Sequence, residues 1–163
     1  MRPIKIISGG QTGADQGGLI AAEQCRMRTG GWAPRGWKTE SGPMQFLLEK
    51  RFGLRQTNDY EYPVRTKLNI EDSDATVLFL EGESKGTALT INVCRDYHKP
   101  IFIVDKYDRR TMIRFMQWLE NKRVVTLNVA GNTESSAPGI EKRVTAFLTT
   151  VFGGKKLPKN IAK

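Results

Sequence analysis

Residues 4–15 read Ile-Lys-Ile-Ile-Ser-Gly-Gly-Gln-Thr-Gly-Ala-Asp, which predicts a buried strand, a glycine turn and the start of a helix. Three isoleucines within four positions suit an inner parallel strand, because such a strand is covered on both faces. Gly9, Gly10 and Gly13 then permit a sharp turn and the close approach of a ligand. The fold prediction for the rest of the chain starts from this stretch.

A helix is expected directly after this turn. Thr12, followed three residues later by Asp15, has the spacing of a capping box and predicts a helix over residues 13–27. Where a strand is followed by a tight turn and a helix, the backbone amides at the helix N-terminus commonly bind an anionic or nucleotide-like ligand. The glycine spacing differs from the dinucleotide-binding fingerprint, so a tight turn without a ligand stays open as the alternative.

Length and composition indicate one globular domain. The 163 residues suffice for a single core, which we assign to residues 1–152. No apolar run is long enough to cross a bilayer, and the first residues lead into a strand rather than a signal peptide, so we expect a cytoplasmic protein. Cys25 and Cys94 lie in apolar helical patterns without metal-binding spacing, which predicts buried thiols and no metal site.

The net charge of +9 is compatible with nucleic acid, a membrane surface or small anions as partners. Part of this charge lies in the basic tail, residues 153–163, which we predict to be loosely ordered. The remaining basic residues are scattered, and no helix-turn-helix, zinc-finger or RNA-recognition pattern accompanies them. Nonspecific contact with nucleic acid stays open, without support from a motif.

Strand, loop and helix alternate along the rest of the chain. Apolar runs predict strands at residues 75–80, 101–104 and 124–129, the first of them central in a parallel sheet. We predict helices at residues 43–52 and 62–70, from Thr87 with Leu89, Val93 and Tyr97 facing inward, from Asp108 and from Pro138. This alternation predicts an α/β fold with a Rossmann-like, doubly wound, mainly parallel sheet flanked by helices in a single domain.

Glycine and proline punctuate residues 29–37, which we predict to be a short strand ending in a loop, and two tryptophans lie five residues apart in this segment. Together with Arg35, Trp32 and Trp37 could stack on a planar ligand. The alternative is that they cover a hydrophobic edge, which we favour for Trp37. His98, the single histidine, lies at a predicted helix end, where we favour a structural role.

Three polar loops follow predicted strands, at residues 8–15, 82–87 and 128–136. Loops after the carboxyl ends of parallel strands lie at one edge of the sheet, and ligands bind there where the strand order reverses. One loop rich in Gly, Ser, Thr and Asn would be unremarkable, but three at the same edge predict a binding site.

Charge distinguishes these loops. Asp15 already occupies the positive end of the first helix dipole, so a phosphate there would meet a carboxylate. Residues 82–87 offer Lys85 and the amides around Gly86, and no acid follows in the first turn of that helix. We therefore expect the anionic part of a ligand at residues 82–87, although Glu83 counts against this unless it points to solvent.

Other polar residues complete the expected site. Gln11 and Asp15 would hydrogen-bond sugar hydroxyls or a base edge, and Arg65 could reach an anion at the edge. Asp72 and Asp74 form either a metal or acid–base pair or, as we favour, a helix-to-strand turn. The expected ligand-binding residues are Gly9, Gly10, Gln11, Thr12, Gly13, Asp15, Trp32, Arg65, Gly82, Lys85, Gly86, the hydroxyl-bearing Thr87 and Thr90, Asn128 and Gly131.

With these residues assembled, the chain resembles the family labelled putative molybdenum carrier proteins, within a broader SLOG-type group of Rossmann-like nucleotide-ligand proteins. The resemblance covers roughly residues 4–151 and rests on Ser-Gly-Gly-Gln-Thr-Gly-Ala-Asp at 8–15, Gly-Trp-Ala-Pro-Arg-Gly at 31–36, Arg-Thr-Lys-Leu-Asn-Ile-Glu-Asp-Ser-Asp-Ala-Thr at 65–76, Gly-Thr-Ala-Leu-Thr at 86–90 and Asn-Val-Ala-Gly at 128–131. It implies a Rossmann-like fold, a homo-oligomer (dimer or tetramer), and a nucleotide or molybdenum-cofactor-like ligand.

The same group includes the lysine-decarboxylase-like phosphoribohydrolases, whose pattern bears on catalysis. They carry an arginine ahead of an apolar strand that ends in a Pro-Gly-Gly-x-Gly-Thr loop, with a catalytic glutamate close behind. Arg65 and Gly86-Thr87 resemble those features, but Leu89 and Thr90 stand where the glutamate is expected. Cleavage of an N-glycosidic bond needs a carboxylate near the sugar, so this departure weakens a hydrolase function.

Two departures from the carrier pattern imply redistributed anion contacts: Lys85 stands where glycine is usual, and Asn132-Thr133 where Pro-Arg is usual.

We expect a carrier, sensor or sequestering protein for a nucleotide-like or other phosphorylated small molecule. One alternative is a phosphoribohydrolase or N-glycosidase, with Asp15 or Glu83 as the carboxylate and Asp15 and Arg65 as candidate catalytic residues. The other is a nucleic-acid-associated basic protein.

Overall fold

The computed structural model describes Pro3 and residues 5–154, so Ile4 and most of the predicted basic tail lie outside the described residues. The strands are β1 Lys5–Ile7, β2 Arg28–Gly30, β3 Trp32–Ala33, β4 Lys38–Thr39, β5 Gly42–Pro43, β6 Arg55–Gln56, β7 Ala75–Phe79, β8 Ile101–Val104 and β9 Thr126–Gly131. The α-helices are α1 Ala14–Gln24, α2 Tyr62–Glu71, α3 Lys85–Asp96, α4 Arg109–Asn121 and α5 Ile140–Phe152.

Five parallel strands form the central sheet in the order β2-β1-β9-β7-β8. All five residues of β7 are buried, as the continuous apolar run predicts, although β9 rather than β7 is the middle strand. The predicted α/β, Rossmann-like architecture is confirmed.

The strand order shows how the chain winds through this sheet. If β9 is counted as the first strand, the order becomes 3-2-1-4-5, which is the order of the first five strands of a Rossmann sheet. The last strand of this chain thus occupies the position that the first strand usually takes. The winding direction reverses between β9 and β7, so this gap is the topological switch point of the sheet.

Helices cover both faces of the sheet. Helices α1 and α4 pack beside α5 on one face, and α2 packs beside α3 on the other. Helix α1 lies very close to the sheet, because a Cβ added at Gly18 would be 2.6 Å from Cγ1 of Val129. On its other side, the hydroxyl of Thr145 in α5 is shared between the carbonyls of Glu141, at 2.8 Å, and Gly17, at 3.1 Å, and so links α5 to α1.

The main core lies between the sheet and the helices α1, α4 and α5. Its aromatic centre includes Phe79 and Phe147, whose rings meet edge to face at 5.5 Å. Both cysteines are buried and neither forms a disulfide, as predicted. Among the described residues, no helix combines the length and apolar character that a membrane span requires.

Residues 31–59 form a small, separate layer against the edge of α1. Strands β3 and β6 pair in parallel, β4 and β5 pair antiparallel, and a π-helical turn over Phe46–Arg51 replaces the helix predicted at residues 43–52. Its second core consists of Leu19, Ala33, Trp37, Leu48, Phe52 and Leu54. Trp37 is buried there, which confirms that it covers a hydrophobic edge.

Two helix starts differ from the prediction. Helix α1 begins after Gly13, and Thr12 donates its hydroxyl to Glu40 instead of capping the helix, so the predicted Thr12–Asp15 capping box is wrong. Helix α3 begins at Lys85, two residues earlier than predicted, because Ser84 and Thr87 form a capping box. The Asp108 cap of α4 is confirmed, whereas Tyr97 ends α3 and is exposed.

Candidate functional site

A cavity of about 440 Å³ opens at the carboxyl edge of the sheet, next to the switch point between β9 and β7. Residues from all three predicted loops line it, together with α2 and α3. The lining residues are Gly9, Gln11, Asp15, Tyr62, Pro63, Arg65, Thr66, Asn69, Ser84, Lys85, Gly86, Leu89, Thr90, Asn128, Val129, Ala130, Gly131, Thr133 and Ser136. The volume lies within the range of small-molecule sites, about 300–1,000 Å³.

A buried ion pair forms one wall of the cavity. Nη1 of Arg65 donates to Oδ2 of Asp15 over 2.9 Å, and the two side chains are only 14% and 5% exposed. The amide of Gln11 also donates to Oδ2 of Asp15, over 3.1 Å. The guanidinium crosses Gly9, where an added Cβ would be 1.5 Å from Nη1. Gly9 is therefore required for the close approach of Arg65.

The electrostatics of this pair combine opposing effects. Burial raises the pKa of Asp15, while the charge of Arg65 and hydrogen bonds from Gln11, Arg65 and Gly9 lower it, with burial the larger effect. The carboxylate neutralises the charge of Arg65 locally. The positive charge that a ligand meets at this wall is correspondingly reduced.

The N-terminus of α3 forms a second wall. Oγ of Ser84 accepts from the amide of Thr87 over 3.1 Å, and Oγ1 of Thr87 accepts from the amide of Ser84 over 2.9 Å. This cap leaves the amides of Lys85 and Gly86, the first two helical residues, without possible partners inside the helix. Both residues line the cavity, so the positive end of the α3 dipole is available to a ligand.

The N-terminus of α1 is occupied by the protein itself. The amide of Ala14 donates to the carbonyl of Asn132 over 3.1 Å, and the amide of Gln16 donates to the carbonyl of Gln11 over 3.2 Å. Asp15 also lies in the first turn of α1. The N-terminus of α1 is therefore a weaker binding site for an anion than the N-terminus of α3. The expectation that an anion binds at α3 rather than at α1 stays a prediction.

Asn132 joins the three loops that surround the cavity. Its backbone carbonyl accepts from Ala14 at the start of α1, as described above, and its side chain reaches the loop after β7. Oδ1 accepts from the amide of Glu81 over 2.9 Å, and Nδ2 donates to the carbonyl of Gly82 over 3.0 Å. One buried asparagine therefore fixes the loop that precedes the α3 cap relative to α1.

The model of the circularly permutated YpsA SLOG family matches residues 6–152, nearly the whole described chain. This chain belongs to the circularly permutated YpsA SLOG family. The family's description names a circular permutation, and in this chain the last strand, β9, occupies the place of a first strand.

The SLOG assignment is supported by a solved structure. The chain is similar to the crystal structure of a putative molybdenum carrier protein from Syntrophus aciditrophicus SB, with 34% sequence identity and a TM-score of 0.80. The similarity covers 92% of this chain and 94% of that one. Among curated proteins, none matches the chain.

The structure brings together nine of the residues expected at the SLOG ligand site. They are Gly9, Gln11, Asp15, Arg65, Lys85, Gly86, Thr90, Asn128 and Gly131. Asp15 and Arg65, the candidate catalytic residues, are among them, but both are engaged with each other. Oε1 of Gln11 accepts from the amides of Thr12 and Glu40, so this oxygen serves the loop rather than a ligand.

Six expected residues do not line the cavity. Gly10 faces Leu48 and Leu54, and Gly13 packs against residues 132–134. Thr12 bonds Glu40, and Thr87 uses its hydroxyl in the helix cap. Gly82 faces open space, and Trp32 lies in a different groove. Local spacing in the sequence did not indicate the direction in which each of these backbone or side-chain groups points.

Most of the wall formed by α2 was not predicted from the sequence. Tyr62, Pro63, Thr66 and Asn69 line the cavity because they occupy the face of α2 that is turned toward α3. Their spacing of three to four residues was the available signal. Asn69 is held by its own bonds, donating to the carbonyl of Trp32 and accepting from its amide, both over 2.9 Å.

Glu40 is a second residue that the sequence argument missed. Its carboxylate accepts hydrogen bonds from Thr12 and from the amide and hydroxyl of Ser135, which lies 95 positions later in the chain. Although burial opposes it, the bonds from Ser135 and Thr12 together lower the pKa of Glu40. The hairpin formed by β4 and β5 is thereby attached beside the cavity.

The two aspartates before β7 have structural partners. Oδ2 of Asp74 accepts from the amides of Val125 and Thr126, and Oδ2 of Asp72 accepts from Nε1 of Trp32. Within the described part of the chain, no group of three or more His, Cys, Asp and Glu residues could hold a metal ion. These contacts favour the interpretation of Asp72 and Asp74 as turn residues.

Proposed function

We propose that the protein binds a phosphorylated, nucleotide-like small molecule in this cavity, as a carrier, sensor or sequestering protein. The observation that carries the proposal is the capped N-terminus of α3: its first two residues, Lys85 and Gly86, line the cavity, and their amides have no possible partner inside the helix. A phosphate at this position would receive backbone hydrogen bonds, the helix dipole and the Lys85 ammonium together.

The distribution of charge supports an anionic ligand. Asp15 is the only acidic residue among those that line the cavity, and Arg65 neutralises it. Lys85 is exposed and adds a positive charge to the lining. Glu83, which counted against an anion in the sequence argument, is exposed and does not line the cavity.

The remaining lining suits the organic part of such a ligand. Tyr62, Pro63 and Leu89 supply apolar surface from the two helices, and Val129 and Ala130 supply it from β9. Asn128, Thr133 and Ser136 add groups that can hydrogen-bond a sugar or a base edge. This combination of a polar end and an apolar wall is typical of nucleotide sites.

The chemical groups that line the cavity also limit the chemical form in which the protein could bind molybdenum. The cavity lining contains no cysteine or histidine, and the described residues contain no cluster of metal ligands. Amides and an ammonium group bind oxyanions rather than bare metal ions. We therefore infer that any molybdenum cargo would be bound as an oxyanion or within a phosphorylated, molybdenum-cofactor-type organic group.

A nucleotide phosphoribohydrolase is the second candidate, favoured by one observation: a carboxyl group, Asp15, with a raised pKa in a cavity. Against it, that carboxylate is engaged by Arg65 and Gln11, and Leu89 and Thr90 offer no replacement. Incubation with nucleoside monophosphates followed by chromatography for free base separates the two candidates. Turnover that Asp15→Asn abolishes would overturn the binder proposal.

Thermal unfolding tests binding directly. A nucleoside monophosphate that binds the folded protein at 100 times its Kd raises stability by about 2.7 kcal/mol and so raises Tm. We expect a ligand from a panel of nucleoside monophosphates and molybdate to raise Tm, and Lys85→Gln to reduce this shift. Lys122→Gln, an exposed lysine at the end of α4, is the control. An equal reduction by both variants would contradict a phosphate site at α3.

Self-association, which the family resemblance implies, and a cytoplasmic location are further proposals. Sedimentation would test the first and fractionation of cells the second.

A further inference from the structure

Among the described residues, the positive charge is concentrated in one segment. Residues 26–67 contain nine Lys or Arg and four Asp or Glu, a net charge of +5, although Arg51 and Arg65 pair with Glu23 and Asp15, which lie outside this segment. Residues 68–154 contain eleven basic and eleven acidic side chains and are neutral overall. The segment includes the small layer of residues 31–59, and the phosphate site at α3 lies outside it.

Aromatic rings alternate with these basic groups. Cζ of Arg55 lies 4.1 Å from the ring centre of Trp32, and Cζ of Arg35 lies 5.2 Å from that of Tyr60. Nζ of Lys38 lies 5.0 Å from the ring centre of Tyr62. The three basic side chains and the ring of Tyr60 are exposed, so this alternation is part of the surface.

A groove of about 420 Å³ lies beside Trp32. Val64 and Leu68, on the side of α2 that faces away from the ligand cavity, provide apolar surface, and Gln56, Thr57, Asn58 and Asp59 provide polar groups. Backbone contacts connect the groove with the Arg35 pair, because the amide of Arg35 donates to the carbonyl of Asp59 over 2.8 Å. Lys67 lies on α2 between Val64 and Leu68 and is exposed.

We propose that this surface binds single-stranded nucleic acid. Single strands bind where basic side chains follow the phosphates and aromatic side chains stack on the bases, which is the combination found here. One base would lie in the groove against Trp32, with the polar side chains at its edge. Arg35, Arg55 and Lys67 would contact the neighbouring phosphates, and Asp59, the one acid of the groove, is tied by its bond from the amide of Glu61.

Fluorescence anisotropy of the full chain with a labelled single-stranded oligonucleotide of about twelve nucleotides tests this proposal. The plot of log K against log salt should fall with a slope of about −0.7 for each phosphate contact. The triple variant Arg35→Gln, Arg55→Gln, Lys67→Gln should reduce this slope by about two. The matched control, Lys106→Gln, Arg110→Gln, Lys122→Gln, changes three exposed basic residues elsewhere and should leave the slope unchanged.

Stacking is tested separately from charge. Trp32→Ala should weaken binding about tenfold, whereas Trp32→Phe should retain most of the affinity. Both variants lose the hydrogen bond from the indole of Trp32 to Asp72. If that bond stabilises the surface, both variants should bind more weakly, whereas a loss of stacking should weaken binding in Trp32→Ala alone.

Four results would overturn the proposal. They are no binding at low salt, an equal change in slope with the control triple, equal competition by polyglutamate, and loss of binding in Lys85→Gln. Equal competition would assign the surface to acidic proteins, and loss in Lys85→Gln would place the oligonucleotide in the ligand cavity. Because Lys85 belongs to the proposed phosphate site, failure of one proposal leaves the other intact.

Discussion

The absence of a side chain at Gly9 leaves the space that the charged guanidinium of Arg65 occupies. An added Cβ would overlap the guanidinium of Arg65, which lies across this glycine and pairs with Asp15 fifty positions earlier in the chain. The sequence indicated that all three residues belong to the site. It could not indicate that Asp15 binds Arg65 instead of a ligand, because that contact depends on how α2 packs against the turn after β1.

Replacing Arg65 with Met should destabilise the protein in a pH-dependent way. Burial already raises the pKa of Asp15 above its unfolded value, and the substitution removes the charge that lowers it. The folded protein then holds a proton at Asp15 over a wider range than the unfolded chain, so stability falls as pH rises through that range. Urea unfolding should show a loss of about 3 kcal/mol at neutral pH, and a smaller loss at about pH 5.

Two variants control this prediction. Arg65→Met combined with Asp15→Asn should lose the added pH dependence, because no carboxyl remains to titrate. Arg51→Met breaks the pair with Glu23, whose side chains are 44% and 45% exposed, and should cost less than about 1 kcal/mol. An Arg65→Met protein whose stability is independent of pH would contradict the account of the buried pair.

The elements illustrate the limits of local patterns. Hydrophobic patterns predicted β1, β7, β8 and β9 and all five α-helices. β2 overlaps the start of residues 29–37, where glycine and proline predicted a short strand that ends in a loop. The start of α3 was placed at Thr87 because Ser84 was counted as part of a loop. Ser84 is the cap, and the same capping-box spacing at Thr12 and Asp15 has no such role. Identical spacing gives different structures because tertiary partners, such as Glu40, compete for the hydroxyl.

Removing the cap of α3 should affect ligand binding more than stability. Ser84→Ala should cost about 1 kcal/mol, because the Thr87 amide loses its acceptor. Asp108→Ala removes the cap of α4 and should cost a similar amount. Calorimetric titration with a ligand found in the thermal screen should show weakened binding in Ser84→Ala alone. Equal weakening in both variants would indicate a general loss of stability instead.

The contact between α1 and the sheet should not tolerate a larger residue. Gly18→Ala places a methyl group against Val129 at a distance that real side chains do not adopt, so we expect a loss of about 1–3 kcal/mol in urea unfolding. Gly18→Ala combined with Val129→Ala should recover part of that loss. If the stability losses of the two single substitutions simply add in the double variant, the methyl group at position 18 does not clash with Val129.

For the whole molecule, the fold class was predictable but the strand order was not. Alternating strands and helices are sufficient for a doubly wound sheet. Residues 124–129 gave no sign that β9 is the middle strand, because an apolar run indicates burial and not neighbours. The convergence of three loops was predictable for a general reason: parallel strands present their carboxyl ends at one edge.

Asn132 should be essential to this convergence. Asn132→Ala removes the side-chain bonds to Glu81 and Gly82, and we expect a stability loss of about 1–3 kcal/mol from the buried groups left unpaired. Hydrogen exchange should become faster in residues 81–87, with little change in α4. Unchanged exchange in that loop would contradict the role of Asn132 in holding the three loops together.

Native mass spectrometry of the purified full chain, with and without Lys85→Gln, tests the central claim most directly. The claim is that three loops at one sheet edge form a receptor for a phosphorylated ligand, with the phosphate at the start of α3. We predict that the unmodified protein retains a small phosphorus-containing molecule and that Lys85→Gln retains less of it, while Lys122→Gln retains as much. A protein that carries no such molecule, or carries it equally in the Lys85→Gln variant, would contradict the account.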